Sequence, residues 1–212
     1  MLAALAKLLL DAVAPRRCAG CDAVSDPAIC PVCTVAMDAM PVPVARRMRH
    51  GTAHAGFSFE EPVRAALHRG KYGGDRTVLI ELAARTARRL SGPRLFTPDA
   101  VIAVPLGARR RRQRGYNQSD VIASVLAEAR DVPVLDQLTR IRETRPQSAR
   151  DEATRRSNVA GAFACSGGDL AGAYLWLIDD VLTTGATVEA AATVLSHAGA
   201  ALIDVVVVAA VS

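Results

Sequence analysis

The residues whose types and spacing could do chemistry lie at the end of a long apolar run. Residues 174–178 are largely apolar, and two adjacent carboxylates, Asp179 and Asp180, follow them directly. The chain then enters a predicted helix through a short loop: Thr183, Thr184, Gly185, Ala186 and Thr187. Backbone N–H groups, hydroxyls and a helix N-terminus together bind phosphate. Since carboxylates accept hydrogen bonds from sugar hydroxyls, the run predicts a sugar-phosphate site with Asp179 and Asp180 as its catalytic candidates.

A simpler interpretation of the same run is structural. Two acids before a helix can serve as its cap, and a Thr-Thr-Gly sequence can form a turn. A lone pair of acids would favour that interpretation. The order of the whole window, from apolar run to acids to Thr/Gly loop to helix, favours the site instead.

A strongly basic segment follows another apolar run. Five arginines occupy the six positions 109–114, just after the predicted buried strand 101–106. Guanidinium groups match phosphate oxygens through paired hydrogen bonds. We therefore expect a second phosphate-binding loop here, with Lys71 from the Gly-rich segment 70–74 adding a point charge. Its candidates are Arg109, Arg110, Arg114 and Lys71. A solvated basic face or a nucleic-acid patch is the alternative.

Four of the five cysteines form two Cys-x-x-Cys pairs. They are Cys18, Cys21, Cys30 and Cys33, with eight residues between the pairs. Each pair can form a tight turn that aims both sulfurs at one metal, so the spacing predicts a structural, tetrahedral Zn²⁺ site. Two disulfides or a redox pair are alternatives. Reduced thiols in a cytoplasmic protein would argue against the disulfides.

The elements that must position these residues alternate between strands and helices. Strands are predicted at 53–59, 101–106, 133–138, 161–165, 173–178 and 202–210. Helices are predicted at 61–69, from Asp75 to about Leu90, at 119–129 and at 187–198, with Arg85, Arg88 and Arg89 on the solvent side. Apolar strands without alternation indicate a parallel sheet covered on both faces. Ligands of such sheets bind beyond the carboxyl ends of the strands, where both predicted phosphate segments fall.

Length and composition bound the remaining possibilities. The 212 residues suffice for one full domain and a small appendage, which we place at 46–212 and 1–45, the latter with a leading helix. A net charge of +5 and a sequence pI near 9.3 suit a protein that handles phosphates or nucleic acid. The apolar stretch 1–10 is too short to cross a bilayer, so we expect a cytoplasmic protein without a membrane span.

The combination of motifs resembles the ComF family of competence-associated, phosphoribosyltransferase-like proteins. Besides the four cysteines, the matching parts are Lys71-Tyr-Gly73, Val104-Pro-Leu106, Arg114-Gly-Tyr-Asn-Gln118, Arg140 with Gln147, Arg156-x-Asn158-Val-x-Gly-Ala-Phe163, and Asp179-Asp-Val-x-Thr-Thr-Gly-x-Thr187. The last part is similar to the phosphoribosyl-diphosphate (PRPP) fingerprint of type I phosphoribosyltransferases. The resemblance implies an α/β type I phosphoribosyltransferase fold joined to an N-terminal zinc ribbon. It also implies a role in handling imported DNA or in DNA repair.

Two functional hypotheses follow from the resemblance. In the first, the protein transfers or senses phosphoribose: the Thr/Gly loop holds the 5′-phosphate of PRPP, the acids orient the ribose hydroxyls, and Mg²⁺ accompanies the pyrophosphate. A mobile flap over the site would come from the polar segment 142–160, with Gln147, Arg156 and Asn158 as its candidates. In the second, the protein is a non-enzymatic adaptor whose zinc ribbon and arginines bind single-stranded DNA or a DNA-processing protein. By analogy with this fold, a homodimer is a further expectation.

Overall fold

The computed structural model describes residues 15–92, 95–143 and 161–211. The leading helix expected near the N-terminus lies outside these residues, as do the flap candidates Gln147, Arg156 and Asn158. None of the helices that the structure describes is both long enough and apolar enough to cross a bilayer.

The main sheet has the mostly parallel arrangement that the apolar strands predict. In chain order its strands are β1 (Arg46–Arg47), β2 (Thr52–Ser58), β3 (Ala100–Ala103), β4 (Val134–Leu135), β7 (Tyr174–Leu182) and β8 (Leu202–Ala210). Within the described residues the spatial order is β1-β2-β8-β7-β3-β4, and only the edge strand β1 runs antiparallel to its neighbour. A separate antiparallel pair is formed by β5 (Leu138–Arg140) and β6 (Phe163–Cys165).

Helices cover both faces of this sheet. They are α1 (Pro31–Ala39), α2 (Val63–Tyr72), α3 (Arg76–Arg89), α4 (Ala108–Arg114), α5 (Gln118–Glu128) and α6 (Ala186–His197). Alternate residues of β7 point to opposite faces. Trp176 and Ile178 join a core with residues of α2, α3 and α5, whereas Leu175 and Leu177 join a second core with residues of α6. Burial on both faces explains why β7 and β8 show almost no polar alternation.

Several element boundaries differ from the sequence-based predictions. The strand predicted at 173–178 continues to Leu182. Asp179 and Asp180 therefore lie within the last residues of the strand and not beyond its end. The helix predicted at 61–69 continues to Tyr72, which places Lys71 on a helix and not in a Gly-rich loop. The arginine-rich segment is also helical, as α4, and not a loop. The first two differences are extensions of a predicted element, and the third is a short additional helix.

The prediction that Arg85 and Arg89 face solvent is wrong, and their contacts show why. The Arg85 side chain donates to both carboxylate oxygens of Asp38, at 3.0 and 3.2 Å, and to the Thr34 hydroxyl at 3.0 Å. Both partners belong to α1 in the cysteine-containing segment. Arg88, by contrast, is exposed as predicted. The helix face that looked polar in sequence is therefore an interface with the N-terminal segment.

The Arg89 guanidinium binds four backbone carbonyls at the same interface. Its Nε donates to Gly56 of β2 at 2.7 Å, and Nη1 donates to Met37 and Asp38 at 3.2 Å each. Its Nη2 donates to Met40. This one side chain joins α1 and the sheet, and two of its carbonyl partners belong to the buried residues Gly56 and Met37. The predicted boundary between 1–45 and 46–212 stays a prediction.

We expect Arg89→Met to lower the free energy of unfolding by about 2–4 kcal/mol, because a buried carbonyl left without a donor costs about 1–3 kcal/mol. Urea unfolding followed by circular dichroism measures the change. The exposed neighbour Arg88 provides a matched control, since Arg88→Met removes the same charge from the same helix. Equal effects of the two substitutions would contradict the structural role of Arg89.

Candidate functional site

Two carboxylates at the end of β7 form the centre of the candidate site. Asp179 Oδ1 accepts a hydrogen bond from the Ser119 hydroxyl at 3.0 Å and another from the Asp180 backbone N–H at 2.9 Å. Burial and the adjacent Asp180 carboxylate raise the pKa of Asp179 to about 7, although Lys71 and Ser119 act in the opposite direction. Ser119 lies in the first turn of α5, so the strand and this helix position the carboxylate together.

Lys71 is the cation of the site. Its Nζ lies 3.0 Å from Asp180 Oδ1, and both side chains are mostly buried, with 20% and 13% of their surfaces exposed. Lys71 comes from the last turn of α2, on the side of the sheet that α3 and α5 also cover. The structure therefore brings Lys71 to Asp179 and Asp180, which follow it by more than a hundred residues in sequence.

The Thr/Gly loop connects β7 to α6, as predicted. Gly185 has a φ of +86°, a left-handed conformation that favours glycine, and it caps the N-terminus of α6. The Thr184 hydroxyl accepts from the Ala186 N–H at 3.4 Å. The loop thus brings Thr183 to Thr187 beside the carboxylates, at the carboxyl edge of the sheet and at the positive end of a helix dipole.

The arginines of α4 are distributed over several environments. Arg114 stacks on the Tyr72 ring at 4.8 Å and donates to Gln118 Oε1 at 3.0 Å, so it braces α2 against α5. Burial and the nearby Arg110 lower the pKa of Arg140, which indicates that these two guanidinium groups share one region. The Arg109 backbone N–H donates to Glu143 Oε1 at 2.9 Å.

The Gly-Tyr-Asn-Gln motif after α4 has a structural role in the described contacts. Asn117 caps α5, and its Nδ2 donates to the Val104 carbonyl at 3.0 Å. The Tyr116 hydroxyl donates to the Gly70 carbonyl in α2. The motif therefore fixes the start of α5, and hence Ser119, relative to the end of β3 and to the helix that carries Lys71.

The four cysteines converge in the segment that packs along α2. The ligand atoms of Cys18, Cys21, Cys30 and Cys33 all lie within 4.8 Å of one another. Burial raises the pKa of Cys18, but backbone N–H donors from Cys30 and Gly20 outweigh it and lower the pKa to about 6. A thiolate is the form that binds metal. Four sulfurs at this spacing fit a closed tetrahedral metal site with no open position.

Similarity to known proteins agrees with this arrangement. No family model matches the chain. Competence protein F of Haemophilus influenzae is 34% identical over 154 residues, which cover 68% of this chain and 66% of that protein. DNA utilization protein YhgH of Salmonella typhimurium is 38% identical over 120 residues, covering 56% and 52%. Competence protein ComFC of Bacillus subtilis is 27% identical over 145 residues, covering 68% and 58%. The chain spans about half to two thirds of the length of these relatives.

The chain belongs to the ComF family. The mostly parallel sheet between helices and the clustered cysteines agree with the predicted class, a type I phosphoribosyltransferase fold with a small cysteine module. Solved structures that align with the chain include glutamine PRPP amidotransferase of Bacillus subtilis, at 21% identity and a TM-score of 0.40 over 69% of this chain and 27% of that chain. Orotate phosphoribosyltransferase of Aeropyrum pernix aligns at 21% identity and a TM-score of 0.37, covering 64% and 61%.

Some residues of this ComF site escape sequence reasoning. Ser119 follows the helix cap Asn117 and looks like an ordinary first-turn serine, yet its hydroxyl holds Asp179. Glu143 lies near the start of the polar segment 142–160, and only the structure shows its carboxylate on the Arg109 N–H. Both contacts join segments that are distant in sequence, which a local pattern does not reveal.

The raised pKa of Asp179 predicts a pH-dependent effect on the stability of this ComF chain. Between about pH 4 and 7 the native state retains a proton that the unfolded chain releases, so ionisation of Asp179 lowers stability as pH rises. Asparagine keeps the Oδ1 acceptor for both hydrogen bonds. We expect Asp179→Asn to increase the free energy of unfolding by roughly 2–4 kcal/mol at pH 8, because a rise of the pKa from 3.8 to about 7 corresponds to at most about 4 kcal/mol at about 1.4 kcal/mol per pKa unit.

At about pH 4.5 the same substitution should have little effect, because Asp179 is then already protonated in the native state. Denaturant unfolding at both pH values measures the difference. Asp180→Asn provides the comparison, since it leaves the mostly buried Lys71 without its partner and should not stabilise the protein. A gain from Asp179→Asn that is equal at both pH values would contradict a raised pKa.

Proposed function

We propose that this protein binds PRPP at the carboxyl edge of its sheet and either transfers or senses the phosphoribosyl group. The observation that carries the proposal is the arrangement of Asp179 and Asp180 directly before a loop in which Gly185 turns the chain into α6. A ligand with a phosphate and two neighbouring hydroxyls fits that pattern. A phosphate group alone would leave the carboxylates unused, and a neutral sugar would leave the loop unused.

Each part of PRPP has a corresponding group in the proposal. The loop Thr183–Thr187 holds the 5′-phosphate, and Asp179 and Asp180 accept hydrogen bonds from the ribose hydroxyls. Arg109, Arg110 and Lys71 face the pyrophosphate, and Arg114 supports that region through Tyr72. Mg²⁺ prefers oxygen ligands and retains water, so it would arrive with the pyrophosphate and neutralise part of its charge. Lys71 would exchange its contact with Asp180 for the ligand.

Transfer of the phosphoribosyl group requires no covalent bond between the protein and the ligand. The bond from the ribose anomeric carbon to the pyrophosphate oxygen breaks, and pyrophosphate leaves with the electron pair. The acceptor supplies the electron pair of the new bond to that carbon. Positive charge develops on the sugar in between, so positioning and nearby carboxylates supply the stabilisation. In this proposal, Asp179 and Asp180 lie beside the sugar on which that charge develops.

A connection to DNA use follows from the relatives and from α4. The names of the relatives refer to competence and to DNA utilization, and we propose that this chain acts in the same processes, in the cytoplasm. Arg109, Arg111 and Arg112 are exposed on α4 beside the site. This exposed charge favours a second candidate function, in which the protein is an adaptor for single-stranded DNA or for a DNA-processing protein.

The cysteine cluster is proposed to hold a structural Zn²⁺. Its four sulfurs can be deprotonated ligands at tetrahedral spacing, and the short segment around them has little apolar surface of its own to bury. The metal would stabilise the turns at Gly20 and Pro31. Arg69 donates from α2 to the Cys18 carbonyl at 3.0 Å. A well-ordered cysteine turn would therefore help to fix the position of the helix that carries Lys71.

Titration of PRPP into the protein by calorimetry, with and without Mg²⁺, tests the proposed site. We expect binding by the wild type and at least about hundredfold weaker binding by an Asp179→Asn/Asp180→Asn double variant, because hydrogen bonds to charged groups contribute about 1.5–3 kcal/mol each. Glu128→Gln is the control. It removes one negative charge at the opposite, exposed end of α5 and should bind like the wild type.

The outcomes separate the two candidate functions. Lack of PRPP binding by the wild type at about millimolar concentration would overturn the first, since enzymes of this kind work at or below such concentrations. Single-stranded oligonucleotide binding that weakens steeply with salt would then support the adaptor. Oligonucleotide binding that does not change with salt concentration would exclude an adaptor that binds DNA through its arginines.

Metal analysis of the purified protein tests the cysteine site. We expect about one zinc per chain, and a decrease in the free energy of unfolding of roughly 3 kcal/mol or more after removal of the metal by a chelator. Cys33→Ser should lose the zinc and the stability together. Cys165→Ser is the control, because Cys165 lies outside the cluster. Disulfides found in the freshly purified, unreduced protein would contradict the metal site.

A further inference from the structure

Arg46 makes a contact that neither its position in sequence nor its place in the sheet suggests. It belongs to the two-residue edge strand β1, where both side chains are exposed. Its guanidinium extends to the Thr/Gly loop, where Nη1 donates to the Thr183 carbonyl at 3.4 Å and Nη2 donates to the Thr184 carbonyl at 3.2 Å. One side chain therefore holds two successive carbonyls of the loop.

The geometry of the peptide bond gives this contact a consequence. In a trans peptide unit the C=O and the following N–H point in opposite directions. A group that holds the carbonyls of Thr183 and Thr184 on the outer side therefore directs the N–H groups of Thr184 and Gly185 to the inner side. Within the part of the chain that the structure describes, neither of these N–H groups donates a hydrogen bond. They are available to a ligand.

The neighbours of Arg46 support the same side of the loop. Met48 Cε lies 3.2 Å from the position a Cβ on Gly185 would occupy, so the methionine packs against the loop where it turns. The Arg49 N–H donates to Glu189 Oε1 at 3.1 Å, in the first turn of α6. The segment 46–49 thus braces the side of the loop that carries the Thr183 and Thr184 carbonyls.

We propose that Arg46 is a positioning residue for the phosphate loop: it holds two carbonyls outward so that the next two N–H groups bind the 5′-phosphate. This inference rests on the proposed phosphate role of the loop. The guanidinium also places a positive charge on the far side of the two peptide units, which adds to the attraction for an anion. Arg46 itself touches no ligand in this arrangement.

Ribose 5-phosphate binding by three variants tests the role. Arg46→Ala should bind about tenfold more weakly than the wild type, which is the effect of losing a charge-assisted hydrogen-bond partner. Arg46→Lys keeps the charge but offers a point donor, so it should recover only part of the affinity. Arg47→Ala is the matched control: the neighbouring arginine is also exposed in β1, and its removal should leave binding unchanged.

Chemical rescue separates positioning from a general structural effect. A cavity of about 580 Å³, lined in part by Arg46, Thr184 and Glu189, has room for a small cation beside the loop carbonyls. Guanidinium ion at about millimolar concentration should restore ribose 5-phosphate binding to Arg46→Ala without changing its melting temperature, and should have no such effect on the wild type or Arg47→Ala.

The outcomes distinguish this inference from the proposed function. Wild-type affinity in Arg46→Ala would overturn the positioning role while PRPP binding by the wild type still stands. The positioning role would also be overturned if Arg46→Ala loses binding together with a lowered melting temperature, and if neither added guanidinium nor the Arg46→Lys substitution restores binding. If the wild type binds neither PRPP nor ribose 5-phosphate, the proposed function fails and the inference fails with it.

Discussion

The cost of placing two adjacent carboxylates at the end of a strand that is buried on both faces governs the rest of the site. Two like charges with little access to water repel each other and lose hydration. The structure offsets this cost from three directions. Lys71 pairs with Asp180, Ser119 donates to Asp179, and the main-chain N–H of Asp180 donates back to its neighbour. The pKa of Asp179 still rises to about 7, which shows that the compensation is incomplete. An incompletely compensated pair is a suitable partner for hydroxyl donors or for a cation.

The elements that supply this compensation are connected to the cysteine module. The helix α2 carries Lys71 near one end, and two residues earlier it carries Arg69, which donates to the Cys18 carbonyl. At Gly20 the module approaches so closely that a Cβ would lie 2.8 Å from Pro62, which directly precedes α2. The cysteine turns therefore help to determine where α2 lies, and with it the ammonium group of the site. A structural metal in this module would therefore influence the position of Lys71 without contacting the site.

Local patterns in the sequence predict the parts of this molecule that depend on neighbours in the chain. The apolar strands, the cap at Asp75, the Thr/Gly turn and the cysteine spacing all follow from such patterns. The solvent-facing assignment of Arg85 and Arg89 failed because their partners, Asp38 and the carbonyls around Met37, lie about fifty residues away. Ser119 and Arg46 were missed for the same reason. Each serves the site through one contact across the fold, and neither residue type is unusual where it stands.

The charges of the site pair with each other in a way that bears on which ligand can enter. Lys71 neutralises Asp180, and the Glu143 carboxylate accepts from the Arg109 N–H at the segment proposed for pyrophosphate. A neutral sugar could not replace Asp180 as the partner of Lys71, because it carries no negative charge. A simple phosphate could displace Glu143 but would leave Asp179 and Asp180 facing only Lys71 and Ser119. A ligand that carries a diphosphate and hydroxyls on one sugar can replace both internal contacts at once: anionic oxygens take Lys71 and the Arg109 N–H, and the hydroxyls donate to the carboxylates that Lys71 leaves. The pattern of internal pairing therefore supports the proposal that the ligand is a phosphorylated sugar diphosphate and not one of its parts.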